Sequence, residues 1–205
     1  MKAVILAAGQ ARRLYPLTQD VPKTLLPVNG VTILERQVAA LRAHGIRDIS
    51  VVVGHHEEKV RETLGRAVSY IRNPYFAATA DIVSLWCARK RFDGPFVYMH
   101  GDVIFAPAVL RRLLDDEPAA IRLAVEAKRC DEEDEKVRIA EGRVIEISKT
   151  MAPDSADGEF IGLARVSADA APALRKALES LIDEGELETQ CVSAVSATIT
   201  SASSR

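Results

Sequence analysis

A chain of 205 residues with 27 Lys and Arg against 29 Asp and Glu, a net charge of −2, is long enough for one α/β domain with a sizeable core and too short for two ordinary ones. So even a charge balance creates no field to draw nucleic acid or a membrane surface, and no stretch reaches the ~20 apolar residues of a spanning helix. The three cysteines, Cys87, Cys130 and Cys191, are odd in number and lack ligand-like spacing, so neither a disulfide framework nor a zinc site is expected, and a reducing, cytoplasmic setting is.

In chain order, residues 3–8 form an apolar run with the length and branching of a buried strand, too short and too close to the first residue for an export signal. It breaks at Gly9 into a long loop carrying Arg12, Arg13 and Lys23. The small side chains of Ala7, Ala8 and Gly9, after Leu6, let backbone N–H groups approach a nucleotide, and the cations reach over its polyphosphate. Pro16, Pro22 and Pro27 stiffen the loop, which lowers the cost of holding Arg13 and Lys23 in place. Arg12 reads as a solvated arginine.

Thr32-Ile33-Leu34-Glu35 is a capping box that opens a helix over 32–44, with Leu34, Val38 and Leu41 on one face. A second strand is expected over Asp48–Val53, a helix over Glu57–Leu64 and a third strand over 68–72. Residues 73–79 are turn-rich, and 81–91 read as a helix in which Trp86, at helical spacing from Ile82, belongs to the core. His55 and His56 sit in a loop and carry no catalytic part.

Phe96–His100 is the central strand, followed by a helix over Pro107–Leu114, a strand over 121–127 and two strands flanking the hairpin dipeptide Glu141-Gly142. The acidic run 131–135 between them reads as a solvated loop. A last strand covers 160–166 and a last helix 168–182. Strands alternating with helices imply parallel pairing through right-handed crossovers, hence an α/β, Rossmann-like three-layer sandwich with a mostly parallel mixed central sheet. Residues 1–188 form a single domain on this reading. The remainder, 189–205, is dominated by Ser, Thr and Ala with no acidic residue, a composition that buries little and predicts a poorly ordered tail.

An α/β sheet places ligands at the carboxyl ends of its strands, where Asp102 follows Gly101. A hard oxygen there suits Mg2+ held jointly with substrate phosphates. Wherever a phosphate bond breaks, charge gathers on the non-bridging oxygens and the departing group. Arg13, which can grip two oxygens, and Lys23, a mobile point charge, are placed to stabilise it. The catalytic set is therefore Arg13, Lys23 and Asp102, with Asp102 the metal ligand.

Leu6-Ala7-Ala8-Gly9, Arg13-Leu14, Pro16-Leu17-Thr18, Pro22-Lys23 and Leu25-Leu26-Pro27-Val28 match the pattern L-A-A-G-x-G-x-R-L-x-P-L-T followed by P-K-x-L-L-P-V. On these residues the chain resembles the nucleotidyltransferase family that makes activated sugars and alcohols. Ala11 stands where that pattern has its second glycine, and its methyl group is expected only to narrow the loop slightly. Over residues 1–182 the stretches VYMHGDVIF, DEEDEKVRIAEGRVIEISK and GEFIGLARVS resemble the small bacterial phosphocholine and phosphonate cytidylyltransferases.

The resemblance implies transfer of CMP from CTP to an oxygen of a small phosphorylated alcohol or phosphonate, of the phosphocholine or 2-aminoethylphosphonate type, with release of pyrophosphate. That oxygen is already ionised, so positioning replaces a general base. It further implies that Lys149 holds the acceptor phosphate, that Glu159 beside Phe160 receives an ammonium group, and that Ser84 lies in the helix set against the base and ribose, where Ala80-Asp81 replaces the usual Asn-Asn. A second metal-binding aspartate, implied near the C-terminal end, has no counterpart after Glu188. A sugar-1-phosphate nucleotidyltransferase and a catalytically weak nucleotide-binding protein therefore remain alternatives. The absence of G-x-G-x-x-G and of G-x-x-x-x-G-K-[ST] disfavours a dinucleotide fold and a P-loop kinase.

Overall fold

Every side chain from Ala3 to Ala8 is buried, and successive residues of a strand point to opposite faces. Ala3, Ile5 and Ala7 enter one apolar cluster while Val4, Leu6 and Ala8 enter another. A strand apolar on both faces needs cover on both, and three layers result.

The structure, a computed structural model, describes residues 1–115 and 119–203. In order, its elements are β1 (Lys2–Ala7), the two-residue strands β2 (Pro27–Val28) and β3 (Val31–Thr32), α1 (Ile33–Ala43), β4 (Asp48–Val53), α2 (Glu57–Leu64), β5 (Ser69–Arg72) and α3 (Asp81–Cys87). There follow β6 (Phe96–His100), α4 (Pro107–Leu114), β7 (Ile121–Glu126), β8 (Lys136–Ala140), β9 (Arg143–Ser148), β10 (Gly158–Val166), α5 (Ala171–Asp183) and α6 (Val192–Ser203). Leu34, Val38 and Leu41 of α1, Val60 of α2 and Leu110 of α4 cover one face of the sheet. Ile82 and Leu85 of α3, Leu174 and Leu178 of α5, and Val192 and Val195 of α6 cover the other.

The large sheet runs β5-β4-β1-β6-β10-β8-β9, with β7 also paired to β10. Strands β5, β4, β1 and β6 are parallel; β10 is antiparallel to each of its neighbours. Strand β10 is shared along its length: residues 163–166 pair with β6, whereas Gly158 and Glu159 pair with β8, and the register to β7 shifts between Phe160 and Ala164. At that break Gly162 has φ +78°, and a Cβ there would lie 2.8 Å from the ring of His100. The imidazole occupies the space that a side chain would need, so only glycine fits.

Local signals act as the residues dictate. The Thr32 hydroxyl accepts from the Glu35 N–H at 3.2 Å, and the Glu35 carboxylate accepts from the Thr32 N–H at 3.0 Å, closing the capping box of α1. The Thr32 hydroxyl also lies 2.7 Å from the Glu35 carboxylate, and its hydrogen bond, with that of the Thr32 N–H, holds the Glu35 carboxyl below its usual range. Glu141 and Gly142 take φ +50° and +74° to turn β8 into β9. Trp86, expected in the core, is only half-buried and carries the Arg89 guanidinium 3.7 Å above its ring. No described helix is long and apolar enough to cross a membrane.

Of the poorly ordered tail expected over 189–205, residues 192–203 form instead the helix α6, which packs on β9 and α5, and 204–205 lie outside the described residues. Cys191, Val192, Ala194 and Val195 are buried. Composition misled because the hydroxyls are satisfied locally: Thr198 donates to the Ala194 carbonyl at 2.7 Å and Thr200 to that of Ser196 at 3.0 Å. Small side chains then let the helix lie close to the sheet. Val195→Asp is expected to cost about 3 kcal/mol or more in urea unfolding, whereas Ala197→Asp, on the exposed face of α6, stays within about 0.5 kcal/mol; equal, small effects would mean that α6 does not pack.

Candidate active site

The loop after β1 is built on two short 3-10 turns, Arg12–Leu14 and Lys23–Leu25. The first begins at Ala11, whose φ of +49° and ψ of +43° place it in the left-handed region. The Ala11 carbonyl is held there by the Thr18 hydroxyl at 2.8 Å and the Leu14 N–H at 3.0 Å. The position thus needs a glycine's backbone freedom. The expected effect of the methyl group, a narrower loop, is replaced by a conformational cost of about 1–2 kcal/mol.

Lys23 reaches the strand end opposite. Its ammonium donates to the Asp102 carboxylate at 2.8 Å, with about a third of each side chain exposed. Burial raises the Asp102 carboxyl, but the hydrogen bond and charge of Lys23 outweigh it and leave the group below its usual range. Two supports fix this strand end. Gly101 donates its N–H to the Leu6 carbonyl at 2.8 Å, so close that a Cβ would lie 2.7 Å from that oxygen and 2.8 Å from a Thr24 methyl. Gln37, buried in α1, donates to the carbonyls of both His100 and Val103 at 2.8 Å.

Two lobes of a cleft meet at this pair. One, about 640 Å³, is lined by Leu6, Ala7, Ala8, Gly9, Arg13 and Ser84; the other, about 870 Å³, by Lys149, Glu159, Glu133 and Arg112, among others. Lys23, His100, Asp102 and Glu135 border both. The residues expected to bind nucleotide therefore gather in one lobe and those expected to bind acceptor in the other. Ser84 is buried and accepts from the Asn73 amide at 3.0 Å, which ties the turn-rich loop to α3.

The acceptor-side expectations change in detail. Lys149 lies 3.4 Å from Glu133, which also accepts from Arg13 at 2.8 Å. Glu159 is engaged by Lys128 at 2.8 Å, and Lys128 also meets Asp134 at 2.9 Å. Phe160, expected to offer its face to a substrate cation, is 2 % exposed and packs its ring against Tyr98 and His100. It belongs to the core.

The acidic run, expected to be a solvated loop, instead wraps the fully buried Lys136. That ammonium donates to the carbonyls of Asp131, Glu132 and Asp134 at 3.0–3.1 Å. The wrap turns Glu133 and Glu135 toward the cleft. Arg13 and Lys149 hold the Glu133 carboxyl below its usual range, while burial pushes Glu135 up to about 7 and leaves its Oε2 without a partner. Sequence reading missed both; the one available signal was a lysine directly after five carboxylates, at the start of an apolar strand.

The parallel half-sheet, the small-residue turn at the end of its first strand and the lysine and aspartate that meet across the strand ends all lie within the part of the chain that a nucleotidyltransferase family matches. The chain belongs to the MobA-like NTP transferase domain family, which its residues 3–189 match. It is 38% identical over 118 residues, 55% of the chain, to a CMP-5'-(3-aminopropyl)phosphonate synthase of Streptomyces rubellomurinus, and 33% identical over 108 residues, 51% of the chain, to a choline-phosphate cytidylyltransferase of Streptococcus pneumoniae. These alignments reach 19% and 46% of the two relatives, so the chain spans less than half the length of either. The fold is shared with the inositol-1-phosphate CTP transferase of T. maritima at a TM-score of 0.78 and 21% identity, covering 98% of this chain and 81% of that one.

Two outcomes follow from the site's geometry. Ala11→Gly relieves the left-handed strain and is expected to raise unfolding free energy by about 1 kcal/mol; a loss of stability would contradict that account. Glu135, with a folded value of about 7 against an ordinary 4.5, binds its proton more tightly in the folded state, so its stability contribution is full below about pH 4.5 and is lost as pH rises through 7. In metal-free buffer Glu135→Gln is expected to gain about 1–3 kcal/mol on the native chain between pH 4.5 and 8, read by urea unfolding.

Proposed function

We propose that this protein transfers CMP from CTP to a small phosphorylated or phosphonate acceptor that carries a cationic group. The observation that supports this most directly is the division of the cleft into two lobes that share Lys23 and Asp102. The similarity to a CMP-phosphonate synthase and a choline-phosphate cytidylyltransferase points the nucleotide to CTP and the acceptor to that class. Three free cysteines suit a reducing, cytoplasmic setting.

In this reading the turn at Leu6 to Gly9 receives the nucleotide, and its triphosphate runs past Arg13 toward Lys23. Phosphate oxygens replace Glu133 and Asp102 as the partners of Arg13 and Lys23. The acceptor's ionised oxygen, steered by Lys149, forms a bond to the α-phosphorus as the bond to the β-phosphate breaks, and pyrophosphate leaves with the electron pair. No proton moves at the reacting oxygen, so alignment and fixed charge supply the rate. Displaced from Arg13 and Lys149, Glu133 stands with Glu135 and Glu159 on the wall of the acceptor lobe, where carboxylates favour a cationic head group.

Magnesium fits this site: Asp102 offers a hard oxygen at the strand end, and the partnerless Oε2 of Glu135 borders the same space. Asp102 would hold the ion, which when bound neutralises phosphate charge. The experiment is pyrophosphate release with Mg2+, four nucleoside triphosphates, and phosphocholine, 2-aminoethylphosphonate and a hexose 1-phosphate as acceptors. Turnover is expected with CTP and a cationic acceptor, lost by a factor of about 10² or more in Lys23→Ala and Asp102→Ala, with Lys149→Ala raising the acceptor KM and leaving that for CTP unchanged. Turnover with the hexose phosphate and UTP or dTTP would favour a sugar nucleotidyltransferase. CTP binding without pyrophosphate from any acceptor would favour a binding protein.

A further inference from the structure

At the inner wall of the cleft, three elements distant in sequence bring together a carboxylate, an imidazole and a thiol. Asp81 opens α3, His100 ends β6 and Cys191 immediately precedes α6. Asp81 Oδ2 is 3.3 Å from Cys191 Sγ and 3.4 Å from His100 Nε2, and the sulfur and that nitrogen are 3.4 Å apart. The three atoms form a nearly equilateral triangle. Three corners of a tetrahedron around an ion with bonds of about 2.0–2.3 Å lie about 3.3–3.6 Å apart, the spacing of a zinc-type site with one oxygen, one nitrogen and one sulfur.

We propose that Asp81, His100 and Cys191 bind a borderline-soft divalent cation of the zinc type, with its fourth position open to the cleft. The donor set is wrong for magnesium, which does not take sulfur, and right for Zn2+ or Co2+. Charge balances: a thiolate, a carboxylate and a neutral imidazole offset the two positive charges. The ion displaces the thiol proton, which leaves to solvent through the cleft that Asp81 and His100 line.

Neighbouring groups fix the three donors in place. Cys191 is fully buried, so its sulfur is held by the groups packed against it. The Tyr98 hydroxyl, also fully buried and without a partner of normal hydrogen-bond geometry, lies against Cys191; a metal-bound thiolate would accept a hydrogen bond from it. Asp81 is anchored by its other oxygen, which accepts from the Cys191 N–H at 2.7 Å, so the carboxylate and the sulfur are positioned as a unit. Gly162 leaves room for the imidazole. Spacing of the cysteines predicted no zinc site, because only one cysteine takes part and its partners lie 91 and 110 positions away.

The inference stands apart from the proposed transfer reaction, and its test reads no activity. The chelator-treated 205-residue chain is titrated with Co2+, following the thiolate-to-cobalt charge-transfer absorption and the visible bands of tetrahedral cobalt. One equivalent with both sets of bands is expected. They should vanish in Cys191→Ala, weaken with at least about a tenfold loss of affinity in Asp81→Asn and His100→Gln, and persist in Asp102→Ala, Cys87→Ala and Cys130→Ala. Zn2+ should displace the cobalt and raise the melting temperature of the native chain but not of Cys191→Ala; Mg2+ should do neither. Circular dichroism of each variant separates lost binding from lost fold. A chain that takes up no stoichiometric cobalt, or whose thiolate band survives Cys191→Ala, overturns the proposal.

Discussion

The molecule depends on how closely two parallel strands finish. Gly101 hydrogen-bonds to the Leu6 carbonyl with no room for a side chain between them, which draws the end of β6 under the loop that follows β1. Asp102 is thereby delivered to Lys23, and Gln37 clamps the same turn from α1. Because the contact is backbone to backbone, it positions the carboxylate more firmly than its own flexible side chain could. The small-residue turn, the two cations and the carboxylate share one space as a consequence of that approach.

The charges around the cleft are mutually compensated. Lys23 faces Asp102, Arg13 and Lys149 converge on Glu133, and Lys128 holds Glu159 with Asp134. A ligand carrying phosphates therefore meets cations already occupied by carboxylates and must exchange places with them. Such exchange is cheap for Arg13 and Glu133, whose side chains are 79% and 65% exposed and interact weakly through water. It is costlier at Asp102, where the protein screens less.

What could be read from the sequence divides along physical lines. The two-faced apolar run of β1, the capping box at Thr32 and the Glu141-Gly142 turn are local, and residues a few positions apart decide them. The loop residues from Leu6 to Lys23 were equally legible, because their spacing is itself the pattern. Hidden were features set by long-range packing: the caging of Lys136 by three carbonyls, the aim of Glu133 and Glu135, and the engagement of Glu159 by Lys128. Composition failed outright at α6, where hydroxyl groups that look solvating are turned back on their own helix. Phe160 failed for a related reason, since its neighbour Glu159 faces the cleft while alternation sends the ring into the core.

The division of the cleft also follows the order of the chain. The smaller lobe is lined almost wholly by residues up to Asp102, and the larger almost wholly by residues from Asp102 onward, with β10 joining the halves by its shared pairing. The lining of one lobe can therefore change largely without altering that of the other. A crossover between homologous genes near Gly101 would exchange most of one lobe's lining and keep most of the other's, a modularity that a cleft stitched from interleaved segments would not allow.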